Sequence, residues 1–245
     1  MRSFYVISFI TLLMACNEEE PTSRNSLQSF IENRSGIVSD SSVIACAGGA
    51  ADSINIYYYP EPGFGSHRLW QLTSFEADPS DFENYEEVSA ESSELFNGYL
   101  AFFHLTILEA ETWFIVTGES GEELTIAQPI SSKQLSAPTE INPDVLSIDQ
   151  SSILEPSFSW EDGTNDGTVI YFHVISDSDN NLLSGTYTFE RSWQFYDLSN
   201  VVLNIRDISP PPALDANESY GFTLMGVSQD NWVNMLVSTN FRTSN

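Results

Sequence analysis

From Val43 onward the chain is punctuated in one consistent way. Short apolar runs rich in Val, Ile, Tyr, Phe and Thr, such as "INIYYYP" (54–60), "WFIVTG" (113–118), "VIYFHVI" (169–175) and "YGFTLMGV" (220–227), alternate with clusters of Gly, Asn, Asp, Ser and Pro. The clusters recur at the roughly 8–12-residue spacing of an antiparallel sandwich. Each run has the length of a strand, and no window sustains a helical period. This pattern excludes a helical bundle and an alternating α/β chain, and it predicts an all-β protein. Hydrophobic residues at 41% and aromatics at 13% supply enough large side chains to fill such a core.

The pattern breaks at "SSKQLSAPTE" (131–140), where Pro138 interrupts any regular element and biases Ala137 toward an extended shape. A boundary there leaves a first sandwich at 41–130, a linker at 131–137 and a second sandwich at 138–245. Each piece is close to the size of one seven-stranded sandwich. The two look like copies of one plan. "VIACAGGAADSINIYYYPEPGFGSHRLWQLTSFE" (43–76) aligns without a gap to "SFSWEDGTNDGTVIYFHVISDSDNNLLSGTYTFE" (157–190), which sets Cys46 opposite Trp160. Near the two ends, "WFIVTGESGEELTIAQPI" parallels "YGFTLMGVSQDNWVNMLV" as strand, polar turn, strand.

The N-terminus obeys different rules. Arg2 supplies a positive end, and Phe4 to Met14 form an apolar run broken by Ser8 and Thr11. That run is short of the ~20 residues a spanning helix needs and matches the apolar part of an export signal over residues 1–15. It ends in Leu13-Met14-Ala15-Cys16, which resembles the bacterial lipobox. The resemblance implies that Cys16 is lipidated on sulfur and becomes the acylated first residue; a plain signal peptide with Cys16 incidental is the alternative. Asn17-Glu18-Glu19-Glu20 follows at once and resembles the acidic export tag of Bacteroidota surface lipoproteins. Its simpler reading is a solvated acidic tether, which extends here over 16–40.

Charge narrows the partners. Eight Lys and Arg against 35 Asp and Glu give a formal net charge of −27. Such a field repels nucleic acid and offers too few cations for binding by counterion release. The expected membrane association therefore runs through lipid, where each buried methylene contributes ~0.8 kcal/mol and two or more chains hold durably. With Cys16 lipidated, Cys46 has no disulfide partner in the chain; it sits in the apolar "SSVIACAGG" and reads as a small buried hydrophobe.

The second half carries the marks of a known module. Pro138, Trp160 in "FSW", Tyr171-Phe172-His173-Val174, and Leu214 ahead of Tyr220 resemble a fibronectin type III domain. The resemblance implies that Trp160, Tyr171, Leu214 and Tyr220 are structural core, with the Tyr220 hydroxyl bonded to backbone a few residues upstream in a tyrosine corner. Pro210-Pro211-Pro212 ahead of Leu214 departs from the pattern. Stretches including "YYPEPG", "FNGYL" and "GVSQDNWVN" also resemble a group of Flavobacteria-type surface lipoproteins of unknown activity, which implies a location at the outer membrane and no chemistry.

No catalytic group stands out. His104 and His173 lie mid-strand and read as satisfied sheet residues, and His67 lies in "GFGSHRLW", read as a turn. No nucleophile elbow or His-x-x-x-His pair accompanies them. Asp162 and Asp166 in "EDGTNDGT", and Asp177 and Asp179 in "DSDNN", offer oxygen ligands for calcium, but the spacing is equally that of strand turns. Among Trp70, Trp113, Trp160, Trp193 and Trp232, the turn-flanking Trp193 and Trp232 are the two expected to reach solvent and touch a ligand. The sequence thus predicts a non-enzymatic, cofactor-free surface lipoprotein that holds a partner protein or glycan. A carbohydrate-binding role in polysaccharide uptake is the alternative, and an unrecognised enzyme is the third.

Overall fold

The computed structural model describes residues 25–106, 109–205 and 213–244. The lipidation and export residues Cys16 and Asn17 to Glu20 lie outside them, as do Pro210 to Pro212. The described chain is all-β. Its first part contains helix α1 (Leu27–Glu32) and strands β1 (Val38–Val43), β2 (Ala45–Ala50), β3 (Ser53–Tyr58), β4 (Ser66–Leu72), β5 (Tyr85–Val88), β6 (Ser92–Leu95), β7 (Leu100–Thr106), β8 (Trp113–Ser120), β9 (Glu123–Ala127) and β10 (Ile130–Ser131). Its second contains β11 (Glu140–Ile141), β12 (Leu146–Asp149), β13 (Ser157–Trp160), β14 (Thr168–Ser176), β15 (Leu182–Thr188), β16 (Ser192–Gln194), β17 (Val201–Asn204), β18 (Ser219–Ser228) and β19 (Val233–Arg242).

These strands make two fibronectin type III-like sandwiches. The first packs the sheet β2-β3-β7-β6 against β1-β9-β8-β4-β5, with β10 also on β8; the second packs β12-β13-β16 against β11-β19-β18-β14-β15-β17. Each begins with a strand laid parallel on its last long strand, β1 on β9 and β11 on β19, before the chain crosses to the other sheet. The shared plan is therefore real at the level of topology. The ungapped alignment of 43–76 with 157–190 is displaced by one strand, however. It sets β3, whose neighbours are β2 and β7, against β14, whose neighbours are β15 and β18. The topological counterpart of β3 is β13, so Cys46 on β2 is not the equivalent of Trp160. The second alignment does match equivalent hairpins, β8–β9 with β18–β19.

Strand alternation explains how the sandwiches are joined. Along β3, Ile54, Ile56 and Tyr58 enter the first core with Leu69, Phe103, Phe114 and Val116, while Tyr57 points the other way. Along β14, Tyr171 and Ile175 enter the second core with Phe158, Trp160, Phe222 and Leu224. The intervening Phe172 and Val174 join Leu100, Met225, Val227 and Val233, with Cys46, Tyr57 and Tyr59 packed alongside. This third apolar layer lies between the sandwiches. Phe172 and Val174 are 5% and 1% exposed, so β14 is buried on both faces. Four sheets are thereby stacked in series.

The segment expected as the later part of a flexible tether is a fifth layer. Ser26 caps α1 by accepting the Ser29 N–H at 3.2 Å. Leu27 is fully buried with Trp70, Leu72, Tyr85 and Ile115 on the outer face of the β4–β8–β9 sheet. Phe30 sits 5.0 Å from Trp70, and the guanidinium groups of Arg34 and Arg68 lie 4.3 and 5.0 Å from its ring centre. Arg34 and Arg68 both pair with Glu119. Burial alone would raise the Glu119 carboxyl, but the two guanidiniums offset it and hold the group below the usual carboxylate range. Gly36 permits the chain to pass here, because a Cβ at that position would meet the Glu122 carbonyl oxygen at 1.8 Å. The apolar residues that interrupt the polar stretch, Leu27, Phe30 and Ile31, are what fasten it down.

Candidate interdomain binding groove

The linker expected at 131–137 is a pinned joint. Ser132 donates its N–H to the Thr112 carbonyl at 2.8 Å and accepts the Thr112 N–H on its hydroxyl at 2.8 Å. One Glu111 carboxylate oxygen accepts the N–H groups of Leu135 and Ser136 at 3.0 and 2.6 Å. The β18–β19 turn closes on the joint from the second sandwich. Ser131 donates to the Asp230 carbonyl at 3.0 Å, Ala47 donates to the Asn231 carbonyl at 2.9 Å, and the Lys133 ammonium meets the Asp230 carboxylate at 2.6 Å. Burial would raise Asp230, yet Lys133 and the Ser228 hydroxyl hold it below its ordinary range.

Trp232 closes that turn and corrects one expectation. Rather than reaching solvent, it is fully buried, and it enters the core of the first sandwich beside Ala47, Ile56 and Phe114. Its indole N–H donates to the Ala137 carbonyl at 2.8 Å. Trp193 is likewise only 2% exposed; its indole donates to the Asp197 carbonyl at 3.0 Å and its ring lies 4.4 Å from His173. Both therefore act as core: Trp232 because its turn folds back onto the first sandwich, and Trp193 because it lies on β16, paired with β13, with its ring in the second core. Trp70 and Trp160 are buried as well. Trp113 is the tryptophan left partly exposed.

Trp113 opens β8 at the edge of a groove of about 650 Å³ that runs along the joint. The first sandwich lines it with Trp113, Pro79, Gln128 and Pro129; the second contributes Asp166, Val169 and Gln229. The Lys133–Asp230 pair forms part of its wall. Its volume lies within the range of about 300–1,000 Å³ typical of ligand sites. A second cleft of about 500 Å³ lies over β12-β13-β16, among Ser147, Ser157, Ser159 and Ser192. It has hydroxyls in number but Trp193 beneath it is buried.

The remaining candidates resolve as structure. The Tyr220 hydroxyl accepts the Asp215 N–H at 2.8 Å, five residues upstream, and Leu214 is buried beside it. Trp160 lies edge-on to Tyr171 at 5.4 Å in the second core. Asp162 accepts from the Tyr171 hydroxyl and pairs with Arg191 at 3.2 Å. Asp177 accepts the N–H groups of Asp179 and Asn181, at 3.0 and 2.8 Å, which is the chemistry of a turn. Among the described residues no three metal-ligating side chains converge. His173 is fully buried against Thr186, whose hydroxyl lies 2.8 Å from Nδ1, and burial pushes its pKa down to about 3. His67 belongs to β4 rather than a turn; it lies 4.7 Å from the Tyr58 ring, and burial lowers its pKa too. His104 is exposed, with Nδ1 2.7 Å from the Asn55 side-chain oxygen. Burial pushes the Cys46 thiol up to about 12, which removes it as a nucleophile near neutral pH.

No protein-family model matches the chain, and no curated protein does. Solved structures it is similar to include the FN1–FN3 domains of chicken CNTN1, at 15% identity over 86% of this chain and 68% of that one, with a TM-score of 0.28. Another is a cytokine receptor complex, at 9% identity over 83% of this chain and 97% of that one, with a TM-score of 0.31. The two-sandwich architecture is defined by the strand pairings themselves.

Proposed function

We propose that the chain is a non-catalytic, surface-anchored interaction protein that holds a partner protein or glycan at the outside of a bacterial outer membrane. The anchor in this reading is lipid on Cys16, with Asn17 to Glu20 as the export tag. From Cys16 to Ser26, where the body begins, an extended chain reaches at most about 35 Å. The body would therefore sit close over the bilayer, the strong acidity of the chain, formal net charge −27 in full, keeping it off anionic headgroups. The observation that carries the binding role is the interdomain groove, whose two walls are held by the buried layer between the sandwiches. A preformed groove binds without the entropy cost of closing.

Protease added to intact cells should remove the protein, and Cys16→Ser should release it from membranes. Full protection of the wild-type protein from protease would sink the surface location. Membrane retention of Cys16→Ser would sink the lipid anchor.

A further inference from the structure

We infer that the groove at Trp113 is a binding site for a neutral polysaccharide chain, an inference that rests on the reading above and names the ligand for its site. A sugar ring presents an apolar C–H face bordered by hydroxyls. Recognition therefore needs one flat apolar surface and, beside it, side chains that both donate and accept hydrogen bonds. The groove holds that combination. Trp113 is the partly exposed indole in the described chain, and Pro79 and Pro129 add apolar surface without any N–H group. Gln128 and Gln229 stand exposed on opposite walls, each with an amide able to serve neighbouring hydroxyls from both ends.

Charge selects the kind of glycan. The Lys133 ammonium in the wall is already met by Asp230 at 2.6 Å, and the exposed Asp166 adds a further negative group. Within a molecule of net charge −27, nothing in the groove would repay the cost of bringing in a carboxylated or sulfated chain. A peptide fits less well. Strand addition needs an open backbone edge, and recognition of a proline-rich helix needs a row of aromatic rings. The groove offers turn residues, two prolines and one indole.

The test is native gel electrophoresis of the full mature chain carrying Cys16→Ser, through gels cast with laminarin, xylan, mannan, glycogen or alginate, and through a plain gel. The site predicts retardation by at least one of the four neutral polymers and none by alginate. Trp113→Ala should weaken that retardation about tenfold or more, as truncation of a central aromatic anchor does. Because Trp113 also packs against the α1 layer, a second variant is needed. Val169→Glu changes an exposed residue on the opposite wall and should weaken binding with the fold intact. Phe189→Ala, exposed and outside the groove, should bind as the parent does.

Several results would overturn the assignment: no retardation by any neutral polymer, equal retardation by alginate, retardation unchanged in both groove variants, or a Trp113-dependent affinity for a proline-rich peptide alone. A protein that is shaved from cells yet ignores every polymer would lose this site while keeping its surface role.

Discussion

Replacing Trp232 with alanine tests how the two sandwiches are joined. The residue belongs to the second sandwich by sequence but fills the core of the first, fully buried beside Ala47, Ile54, Tyr58 and Phe114. Removing a buried Trp side chain costs about 3–5 kcal/mol in lost burial and residual cavity. The lost indole bond also strands the Ala137 carbonyl at the joint. At 1.4 kcal/mol per decade, 3–5 kcal/mol corresponds to a drop of roughly two to three and a half orders of magnitude in protection against hydrogen exchange. The loss should appear in Phe114 to Val116 on β8, across the domain boundary from the substitution. Phe222 to Leu224 on β18, in the same sandwich as Trp232, should lose less. Urea unfolding of the parent should be one transition and that of Trp232→Ala two, the first sandwich melting earlier. Unchanged protection in β8, or a loss confined to β18, would refute the reasoning.

Tyr220→Phe removes the hydroxyl that accepts the Asp215 N–H and should cost about 1–3 kcal/mol in urea unfolding of the second sandwich, with its core rings in place. His173 makes stability depend on pH. Its pKa falls from 6.5 to about 3 on folding, so below pH 6.5 the unfolded chain takes up a proton that the folded chain refuses. The contribution is complete above pH 7 and is lost as pH falls, the loss reaching about 2 kcal/mol at pH 5. His67 is shifted the same way by burial and adds to the slope. His173→Leu should flatten the fall of the urea midpoint between pH 6.5 and 5, and an unaltered slope would contradict the burial account.

What the sequence showed follows from what local pattern encodes. Period-two alternation and regularly spaced turn residues specify strands and their hairpins, so the all-β class was legible, as was the β8–β9 match to β18–β19. Strand partners were not. "INIYYYP" and "VIYFHVI" look alike because both β3 and β14 turn one face to their own core and the other toward the neighbouring sandwich, β14 fully buried there and β3 half-buried. The same layer explains the tryptophans. "QDNWVN" reads as an exposed turn until a second domain supplies the core that Trp232 enters. "WFIVTG" reads as buried throughout, whereas Trp113 begins its strand at the open edge of a joint. Groove and interface arise between distant segments, and no short window of sequence contains both sides. The one local hint lay in "YYYP": three consecutive aromatic residues cannot all face one core, and Tyr57 and Tyr59 serve the layer between sandwiches.

The central claim is that two sandwiches form one rigid body with a standing groove at their seam. Spin labels on cysteines placed at exposed Thr73 and Ser159, one beyond β4 and one on β13, would report the separation of the outermost sheets. Both native thiols would first be removed, Cys16 by Cys16→Ser and the partly exposed Cys46 by Cys46→Ala, so that only the two introduced sites carry label. Pulsed electron spin resonance should give a single narrow distance distribution that Trp232→Ala broadens. A broad distribution in the parent protein would mean two domains on a hinge, and the preformed groove would go with it.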